Sequence, residues 1–466
     1  MKKKLITIFA VIALVAVLAT VFVACNKGYK WHSVGGGDAT AEVKSNGGYV
    51  VKQGNYLYMI NGYSGADQDN TFGTPVKQSI VRVEIKDGAI DNSTAVVVAP
   101  KSVYNSSSKS GGIAIFGDWI YYATNNYEKD KNGIVSTTDS DFMRTKIDGS
   151  ATQLIATINS RSVEYLFTPT RVWYFANNTL SYVDFSGMKN GGDITNGKGA
   201  VKGQLGYTIS SVAWDYEVDK IFFTRSATDT TTSLTYNELC SIDKSGANEQ
   251  VLATYNTYLA KGEKAVDNGQ KVFTFTLLDV AKEESGATIY YTKSYKAGSS
   301  SPSAGTFMNK VAGSFKVADE KRLTTNAVTT IYPLGYADGA LAYNTQSVYC
   351  WYNGENEEDP VQVTNSSKTV WFAAGGNAYY TASSSASELY KISYREKSNV
   401  EVVFSEGMKV DWLPLDGVED GDFKASFFFA TSDNNYLHYV NYMSEDTKST
   451  MIGIYLPGDE PKEEEK

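Results

Sequence analysis

The chain has 466 residues, a formal net charge of −9 and 42% hydrophobic residues, so it is long enough to bury a sizeable core. Its Lys and Arg residues are scattered among acids, which excludes the concentrated basic surface that nucleic-acid binding needs. The 33 Tyr, 20 Phe and 40 Gly residues are typical of an all-β protein, because aromatic side chains fit pleated sheets and glycine suits tight turns.

Residues 1–24 have the layout of an export signal. A short basic stretch after Met1 precedes a mostly apolar run from Leu5 to Ala24, and this run stops at Cys25. The run is just long enough to span a bilayer, so an uncleaved membrane anchor is the alternative. Both interpretations place the body of the protein outside the cytoplasm.

The residues around Cys25 resemble a bacterial lipobox, with Val23 and Ala24 immediately before the cysteine. In that family the cysteine sulfur receives a diacylglycerol, and cleavage makes the cysteine the new N-terminus. Phe22 departs from the pattern, which usually has Leu, Val or Ile at that position. The resemblance implies a lipid on Cys25 and a protein held on the outer face of the cell membrane. Residues 25–46 are rich in Gly and polar residues, and we predict that they form a flexible tether.

One motif recurs eight times along the rest of the chain: a small turn, an apolar residue, two residues that are usually aromatic, and a small polar residue. The copies run from Leu57 to Phe427 in seven steps of 37 to 68 residues with a mean near 53, which is the length of a propeller blade with four short strands. The copies are NYLYMIN at Leu57, DWIYYATN at Ile120, TRVWYFAN at Val172, DKIFFTRS at Ile221, ATIYYTKS at Ile289, GALAYNTQ at Leu341, GNAYYTAS at Ala378 and ASFFFATS at Phe427.

A second motif follows each copy of the first, and it alternates apolar and polar residues ahead of a tight turn. Examples are DFMRTKIDG from Asp141 and ELCSIDKSG from Glu238. The first motif is apolar on both faces and predicts a strand buried between neighbouring sheets, whereas the second predicts a half-exposed strand. A further short strand often follows, as in TQLIAT from Thr152. Each unit therefore predicts a small antiparallel meander that needs other sheets to cover its faces.

These repeats predict an all-β fold: a single β-propeller over residues 47–456 with eight blades, or seven if the first or last copy completes a shared blade. A stacked β-sandwich array is the alternative. Residues 457–466 are charged and are predicted to form a disordered acidic tail.

The pairing of DWIYYATN with DFMRTKIDG resembles uncharacterised bacterial lipid-anchored surface propellers of the TolB-like and YWTD-like superfamily. The YWTD tetrad itself is absent, so the resemblance implies the fold and carries over no functional residue.

Four longer polar segments lie between the first and second motifs of their units, and we expect them to project from one rim of the propeller. Loops gathered on one rim of a rigid scaffold commonly carry recognition, with plain turn decoration as the alternative. The segments are GYSGADQDNTFGTPVKQ after Asn61, NNYEKDKNGIVSTTDSD after Thr124, SATDTTTSLTYN after Arg225 and KAGSSSPSAG after Tyr295.

Catalytic chemistry finds little support in the sequence. The only histidines are His32 in the tether and His438 in the last strand pair, which argues against Ser-His-Asp hydrolases and zinc sites built on histidine. A glycosidase-type carboxylate pair stays open, because the chain has 52 acidic residues. The acidic stretches 67–70 and 139–141 offer oxygen ligands of the kind calcium takes but lack the full EF-hand spacing, so solvated loops are the default. We expect no cofactor and no metal.

Two cysteines besides Cys25 fall in predicted strands. Cys240 and Cys350 are expected to be buried free thiols, with a disulfide between them as the alternative in an oxidising compartment.

Three aromatic residues are candidate ligand contacts, since exposed rings stack on sugars or peptide side chains. They are Trp351 and Tyr352, beside the acidic segment 355–359, and Trp412; packing within the core is the alternative.

The favoured hypothesis is a non-catalytic cell-surface lipoprotein, a binding or scaffold module for an envelope protein or an extracellular polymer. The alternatives are a carboxylate-dependent enzyme acting on polysaccharide, and a sugar or small-ligand receptor with a closed apolar pocket and a few polar anchors.

Overall fold

The structure is a computed structural model, and the residues that it describes run from 33 to 455 with gaps. The gaps are residues 61–78, 88, 100–111, 130–134, 161–162, 189–200, 205–207, 229–234, 257–271, 296–304, 313, 317–318, 326–327, 329, 338–339, 346–347, 353–360, 365–367, 375–376, 384–387, 394–399, 405–422, 431–436 and 444–449. No helix among the described residues is long and apolar enough to cross a membrane.

The described residues form β-strands that are grouped in eight antiparallel sheets, each built from strands consecutive in the chain. Sheet 1 comprises β1 (Val43–Lys44), β2 (Val50–Gln53), β3 (Tyr56–Ile60), β4 (Ile80–Lys86) and β5 (Ala89–Ala99). Sheet 2 comprises β6 (Ala114–Phe116), β7 (Trp119–Lys129), β8 (Val135–Lys146) and β9 (Thr152–Ile158). Sheet 3 comprises β10 (Glu164–Phe167), β11 (Arg171–Ala176), β12 (Thr179–Asp184) and β13 (Val201–Gln204). Sheet 4 comprises β14 (Thr208–Ala213), β15 (Lys220–Thr228), β16 (Thr235–Asp243) and β17 (Gln250–Asn256).

The second half of the chain continues the pattern. Sheet 5 comprises β18 (Val272–Lys282), β19 (Ala287–Tyr295), β20 (Gly305–Val311) and β21 (Lys321–Thr324). Sheet 6 comprises β22 (Thr330–Ala337), β23 (Ala340–Thr345), β24 (Val348–Tyr352) and β25 (Val361–Thr364). Sheet 7 comprises β26 (Thr369–Ala374), β27 (Asn377–Thr381), β28 (Leu389–Ser393) and β29 (Val400–Phe404). Sheet 8 comprises β30 (Phe423–Ala430), β31 (Leu437–Met443) and β32 (Thr450–Tyr455).

The chain is an all-β propeller, but the prediction of eight blades, or seven, is wrong. Six sheets, sheets 2 to 7, have the four-stranded meander of a blade, and these are the six blades. Sheet 1 has a fifth strand and sheet 8 has only three. The count of eight failed because each copy of the sequence motifs identifies the central hairpin of a sheet. A central hairpin does not determine whether the outer strands that complete a blade are present.

Each meander has two distinct ends. The connections between its first and second strands, and between its third and fourth strands, fall at one end; the second and third strands are joined at the other. We call the first end the turn rim and the second the hairpin rim, counting from β2 in sheet 1. The four longer polar segments of the sequence connect β3 to β4, β7 to β8, β15 to β16 and β19 to β20, and the strand ends that flank them lie on the hairpin rim. All or part of each segment lies outside the described residues, so its expected role in recognition stays a prediction.

The turn ends of sheets 1 to 5 lie side by side, so the turn rim is continuous across these sheets. A contact near the turns joins each sheet to the next one. The contacts are Gln53 Nε2 to Gly117 O at 2.8 Å, the Tyr121 and Phe185 rings at 5.6 Å, Trp173 Nε1 to Lys244 O at 2.8 Å and Lys282 Nζ to Glu217 O at 2.8 Å.

In sheets 1 to 5, neighbouring sheets pack face to face through aromatic and aliphatic side chains, which confirms for these sheets that the strands of the first motif are buried on both faces. Tyr290 and Tyr291, which point to opposite faces of sheet 5, are both at most 2% exposed. Tyr290 packs towards sheet 6 with Val328 and Ile331, and Tyr291 packs towards sheet 4. The hydrophobic core is thus a series of layers between the sheets.

The second motif departs from its prediction of a half-exposed strand. Several of its polar positions are buried too, because neighbouring sheets cover both faces of the strand there, whereas Lys86 and Lys310 stay exposed. The buried examples are Arg82, Arg144, Ser241 and Asn309, which are all 5% exposed or less. Burial makes each of these polar groups dependent on a partner inside the protein.

Candidate functional site

A cleft of about 280 Å³ opens at the turn rim between sheets 4 and 5. The turn ahead of β15 in sheet 4, the turn between β18 and β19 in sheet 5 and the first residue of β17 contribute to its mouth. The turn ahead of β15 is held by Asp215, whose carboxylate accepts the Glu217 N–H at 2.7 Å. The turn between β18 and β19 needs a glycine at Gly286, because φ is +93° and a Cβ there would meet Val311 O at 2.1 Å.

The floor of the cleft is apolar. Phe222 and Val218 contribute from sheet 4, and Ala287 and Val311 from sheet 5. All four are buried and belong to the hydrophobic cluster that joins the two sheets. Leu252, which is partly buried, forms part of the wall on β17. The cleft is therefore a gap in the packing between two rigid sheets, and its shape depends on how those sheets meet.

The mouth of the cleft carries both hydrogen-bond donors and acceptors. The donors are Lys220, Lys282 and the amide of Gln250, and the acceptors are the carboxylates of Asp219, Glu283 and Glu284. Several of these groups already have partners within the protein, while Asp219, Gln250 and Glu284 are exposed.

The partners of the mouth residues hold their side chains in place. Lys220 forms an ion pair with Asp243 at 2.7 Å, and Glu283 accepts a hydrogen bond from the Thr288 hydroxyl at 2.5 Å. The ion pair and the Asn248 amide lower the pKa of Asp243 below its usual value. These contacts fix the charged groups before any ligand arrives.

Ser241 is the unusual group in the cleft. It lies on β16 and lines the cavity, and it is only 1% exposed. Among the described residues, its Oγ has no hydrogen-bond partner. Leaving a buried hydroxyl unsatisfied costs free energy, so such a group calls for an explanation. The Oγ itself is closed off from the open part of the cleft, so it is a strained feature of the packing beside the cavity and not a ready ligand contact.

Lys244 lies in the turn after β16, next to the cleft. Burial lowers the pKa of its ammonium to about 8, and the carboxylates of Asp215 and Asp219 partly offset this effect. Its Nζ donates a hydrogen bond to Tyr216 O at 2.8 Å. The side chain therefore ties two turns of sheet 4 together at the edge of the cleft.

Two buried serines of sheet 4 should respond oppositely to substitution. Ser211 Oγ bonds Thr224 Oγ1 at 2.6 Å and accepts the buried Leu277 N–H at 3.0 Å. Ser211→Ala should lower the free energy of unfolding by about 1–3 kcal/mol, because the Leu277 N–H loses its acceptor. Ser241→Ala should leave it unchanged or raise it, because no hydrogen bond is lost and the cost of an unsatisfied buried hydroxyl is removed. Urea denaturation of both variants measures the difference, and equal losses would show that the Ser241 hydroxyl is satisfied.

Among the described residues, the ligand contacts suggested by the sequence lie in sheet 6 and do not line this cleft. Trp351 and Tyr352 lie on β24 in sheet 6, where they pair with Ala342 and Leu341, and their side chains are outside the described part of the chain. Trp412 and the lipidation residue Cys25 lie outside the described residues, so their roles stay predictions.

The sequence also raised a histidine and two acidic stretches as candidates for catalysis or metal binding. His438 lies on β31 opposite Phe429, and residues 67–70 lie outside the described residues. Asp141 accepts a hydrogen bond from the Thr157 hydroxyl at 2.6 Å. No group of three or more His, Cys, Asp or Glu side chains suited to a metal occurs in the part of the chain that the structure describes.

Cys240 is a buried free thiol on β16, which rules out its disulfide with Cys350. Burial raises the pKa of the Cys240 thiol to about 12. The thiolate, which is the reactive form, is therefore suppressed, and Cys240 acts as a small apolar side chain.

Sequence analysis missed the cleft because its residues come from six strands and two turns. Ser241 sits in the motif ELCSID, which predicted only a half-exposed strand. Gly286 and the acidic pair before it fall in KEESGA, which has the composition of an ordinary turn. No local signal in the sequence distinguishes this turn from those of the other sheets.

Comparisons with known proteins show only remote structural similarity. No family model and no curated protein matches the chain. A nidogen/laminin complex structure is 10% identical, with 70% of this chain and 89% of that chain covered at a TM-score of 0.29. The β-propeller domain of the Trilobed protease from Pyrococcus furiosus is 8% identical, with 89% and 96% covered at a TM-score of 0.33. A prolyl endopeptidase structure is 10% identical, with 88% of this chain covered at a TM-score of 0.41, and the chain spans 55% of its length. These similarities are too low to indicate a shared function.

Proposed function

We propose that the chain is a non-catalytic, lipid-anchored binding protein of the cell surface whose cleft between sheets 4 and 5 holds one saccharide unit. The saccharide is either free or part of an extracellular polymer. The observation that carries the proposal is the cleft itself, in which an apolar floor lies below a mouth of hydrogen-bond donors and acceptors that the protein already holds in place. The anchor is supported by the lipobox-like sequence that ends at Cys25.

The chemistry of the cleft suits a sugar ring. A sugar presents hydroxyl groups that both donate and accept hydrogen bonds, around a ring whose C–H faces are apolar. The carboxylates at the mouth accept from such hydroxyls, the Lys220 and Gln250 side chains donate to them, and Phe222 and Leu252 offer apolar surface. A pocket with an apolar lining and a few fixed polar groups is the usual form of a small-ligand site.

A polysaccharide-acting enzyme is the second candidate, and one observation favours it. Three carboxylates, those of Asp219, Glu283 and Glu284, line the same cleft. Glycoside hydrolysis requires two carboxyl groups that flank the scissile bond. Saccharides that bind the protein are therefore also incubated with it. Release of reducing ends from a bound polymer would favour the enzyme over the binding protein.

The experiment that tests the binding site fills the cleft. Leu252→Trp should abolish saccharide binding, because the larger side chain occupies the cavity that Leu252 lines. Val251→Trp is the matched control: Val251 is the neighbouring residue on β17, it points to the other face of the strand, and it is 49% exposed. The measurement is a glycan array followed by calorimetric titration of the saccharides that bind.

A graded variant completes the test. Gln250→Ala should weaken binding roughly 2- to 12-fold, because the exposed Gln250 amide lines the cleft and one hydrogen bond contributes about 0.5–1.5 kcal/mol. Binding that survives Leu252→Trp would place the saccharide elsewhere on the protein. The absence of any bound saccharide on the array would overturn the proposed function.

A further inference from the structure

The described chain begins on the turn rim, and hydrogen bonds fix it there. The Ser33 hydroxyl donates to the Asp148 carboxylate at 2.9 Å, and the Val34 N–H donates to the Asp148 carbonyl at 2.7 Å. Asp148 lies in the turn between β8 and β9 of sheet 2, which belongs to the turn rim. The first described residues are thus attached to the same rim as the cleft.

A buried arginine strengthens this attachment. Arg82 Nη1 donates to Gly35 O at 2.6 Å and to Ile147 O at 3.2 Å, so one guanidinium joins the incoming chain to sheets 1 and 2. Its guanidinium carbon lies 5.1 Å from the centre of the Tyr56 ring. Arg82 is 5% exposed, so these bonds are protected from water. The entry point of the chain is therefore part of the folded propeller.

The distance from this entry point to the proposed lipid is short. Eight residue steps separate Cys25 from Ser33, and a fully extended chain of that length spans at most about 29 Å. β7 runs from the turn rim to the hairpin rim over 11 residues, which corresponds to about 35 Å. A lipid on Cys25 therefore keeps the turn rim near the bilayer. The chain between Ser33 and Cys25 is shorter than the distance between the two rims, so the lipid cannot extend past the hairpin rim and enter the bilayer on that side.

We infer that the turn rim faces the lipid bilayer, so that the saccharide cleft opens towards the membrane and the long hairpins point away from it. This inference rests on the proposed lipidation of Cys25. The charged side chains that line the cleft nearly balance, with three carboxylates against two lysines, so they give no strong attraction to an anionic lipid surface. The short connection to the lipid, and not surface charge, therefore sets the orientation.

The orientation is measured by energy transfer from a dye on the protein to acceptor dyes on lipid headgroups. The full-length lipidated protein, with Cys240 and Cys350 replaced by Ala, is reconstituted in vesicles. A donor dye is attached either through Ser245→Cys, an exposed position in the turn between β16 and β17, or through Thr228→Cys, at the hairpin-rim end of β15. Both positions belong to sheet 4, so they differ mainly in their height above the membrane.

Transfer should be clearly higher from position 245 than from position 228. Insertion of twenty Gly and Ser residues after Asn26 should reduce this difference, because the longer linker no longer restricts the propeller. Equal transfer from the two positions, or higher transfer from 228, overturns the orientation. The intact mass of the protein reports lipidation separately: a chain without lipid on Cys25 overturns both the anchor and the orientation, whereas a lipidated chain with equal transfer overturns the orientation alone.

Discussion

Lys293→Met is expected to lower the free energy of unfolding by about 3–5 kcal/mol, because it leaves a buried carboxylate without its counter-charge. Lys293 Nζ lies 2.8 Å from Glu320 Oε1, and the two side chains are 1% and 7% exposed. The Tyr291 hydroxyl donates to the other oxygen of Glu320. Burial and the nearby Glu320 raise the pKa of Tyr291 well above its usual value, so the hydroxyl keeps its proton. Urea denaturation followed by fluorescence measures the loss.

Two further variants show whether the loss comes from the buried charge. Lys293→Met combined with Glu320→Gln should be more stable than Lys293→Met alone, because the second change removes the unpaired charge and keeps an acceptor for Tyr291. Lys310→Met is the control on the surface of the same sheet: Lys310 lies 3.4 Å from Glu283 and is 63% exposed, so its loss should cost less than about 1 kcal/mol. A Lys293→Met variant no less stable than Lys310→Met would contradict a buried ion pair.

Phe275→Ala is expected to destabilise the protein by about 3–5 kcal/mol, because it leaves a cavity between sheets 4 and 5. The Phe275 ring is stacked between the rings of Tyr255 and Tyr291, with both centroid distances at 4.7 Å. Its neighbours in the same cluster include Ala287 and Val311, which form the floor of the cleft. Saccharide affinity should therefore fall together with stability. Chemical denaturation and calorimetric titration measure the two effects.

A matched substitution between other sheets separates the two effects of Phe275→Ala. Phe142 is fully buried between sheets 2 and 3, where its ring lies 5.7 Å from those of Tyr165 and Phe167. Phe142→Ala should cost a similar free energy of unfolding and leave saccharide affinity unchanged at temperatures where the variant is folded. Equal losses of affinity in the two variants would mean that the ligand senses global stability and does not depend on the junction of sheets 4 and 5.

The sequence predicted the local elements well, because strands and tight turns follow from residues that are close in the chain. The aromatic pairs in WIYYAT and KIFFTR predicted strands buried on both faces, and β7 and β15 begin with them. Neither the blade number nor the burial of the alternating strands could be read in this way. Alternation in ELCSID predicts one polar face, yet a second sheet covers that face and buries Ser241.

The sequence by itself thus determined that this protein is built from repeated antiparallel meanders, since backbone pairing within a hairpin depends on short-range patterns. Only the tertiary structure decided that six of the sheets are complete four-stranded blades, that Lys293 meets Glu320, and that sheets 4 and 5 leave a cleft between them. The physical reason is that these features depend on how side chains from distant segments fill the space between sheets. Packing of that kind is set by volume and contact across the whole fold, which no local pattern encodes.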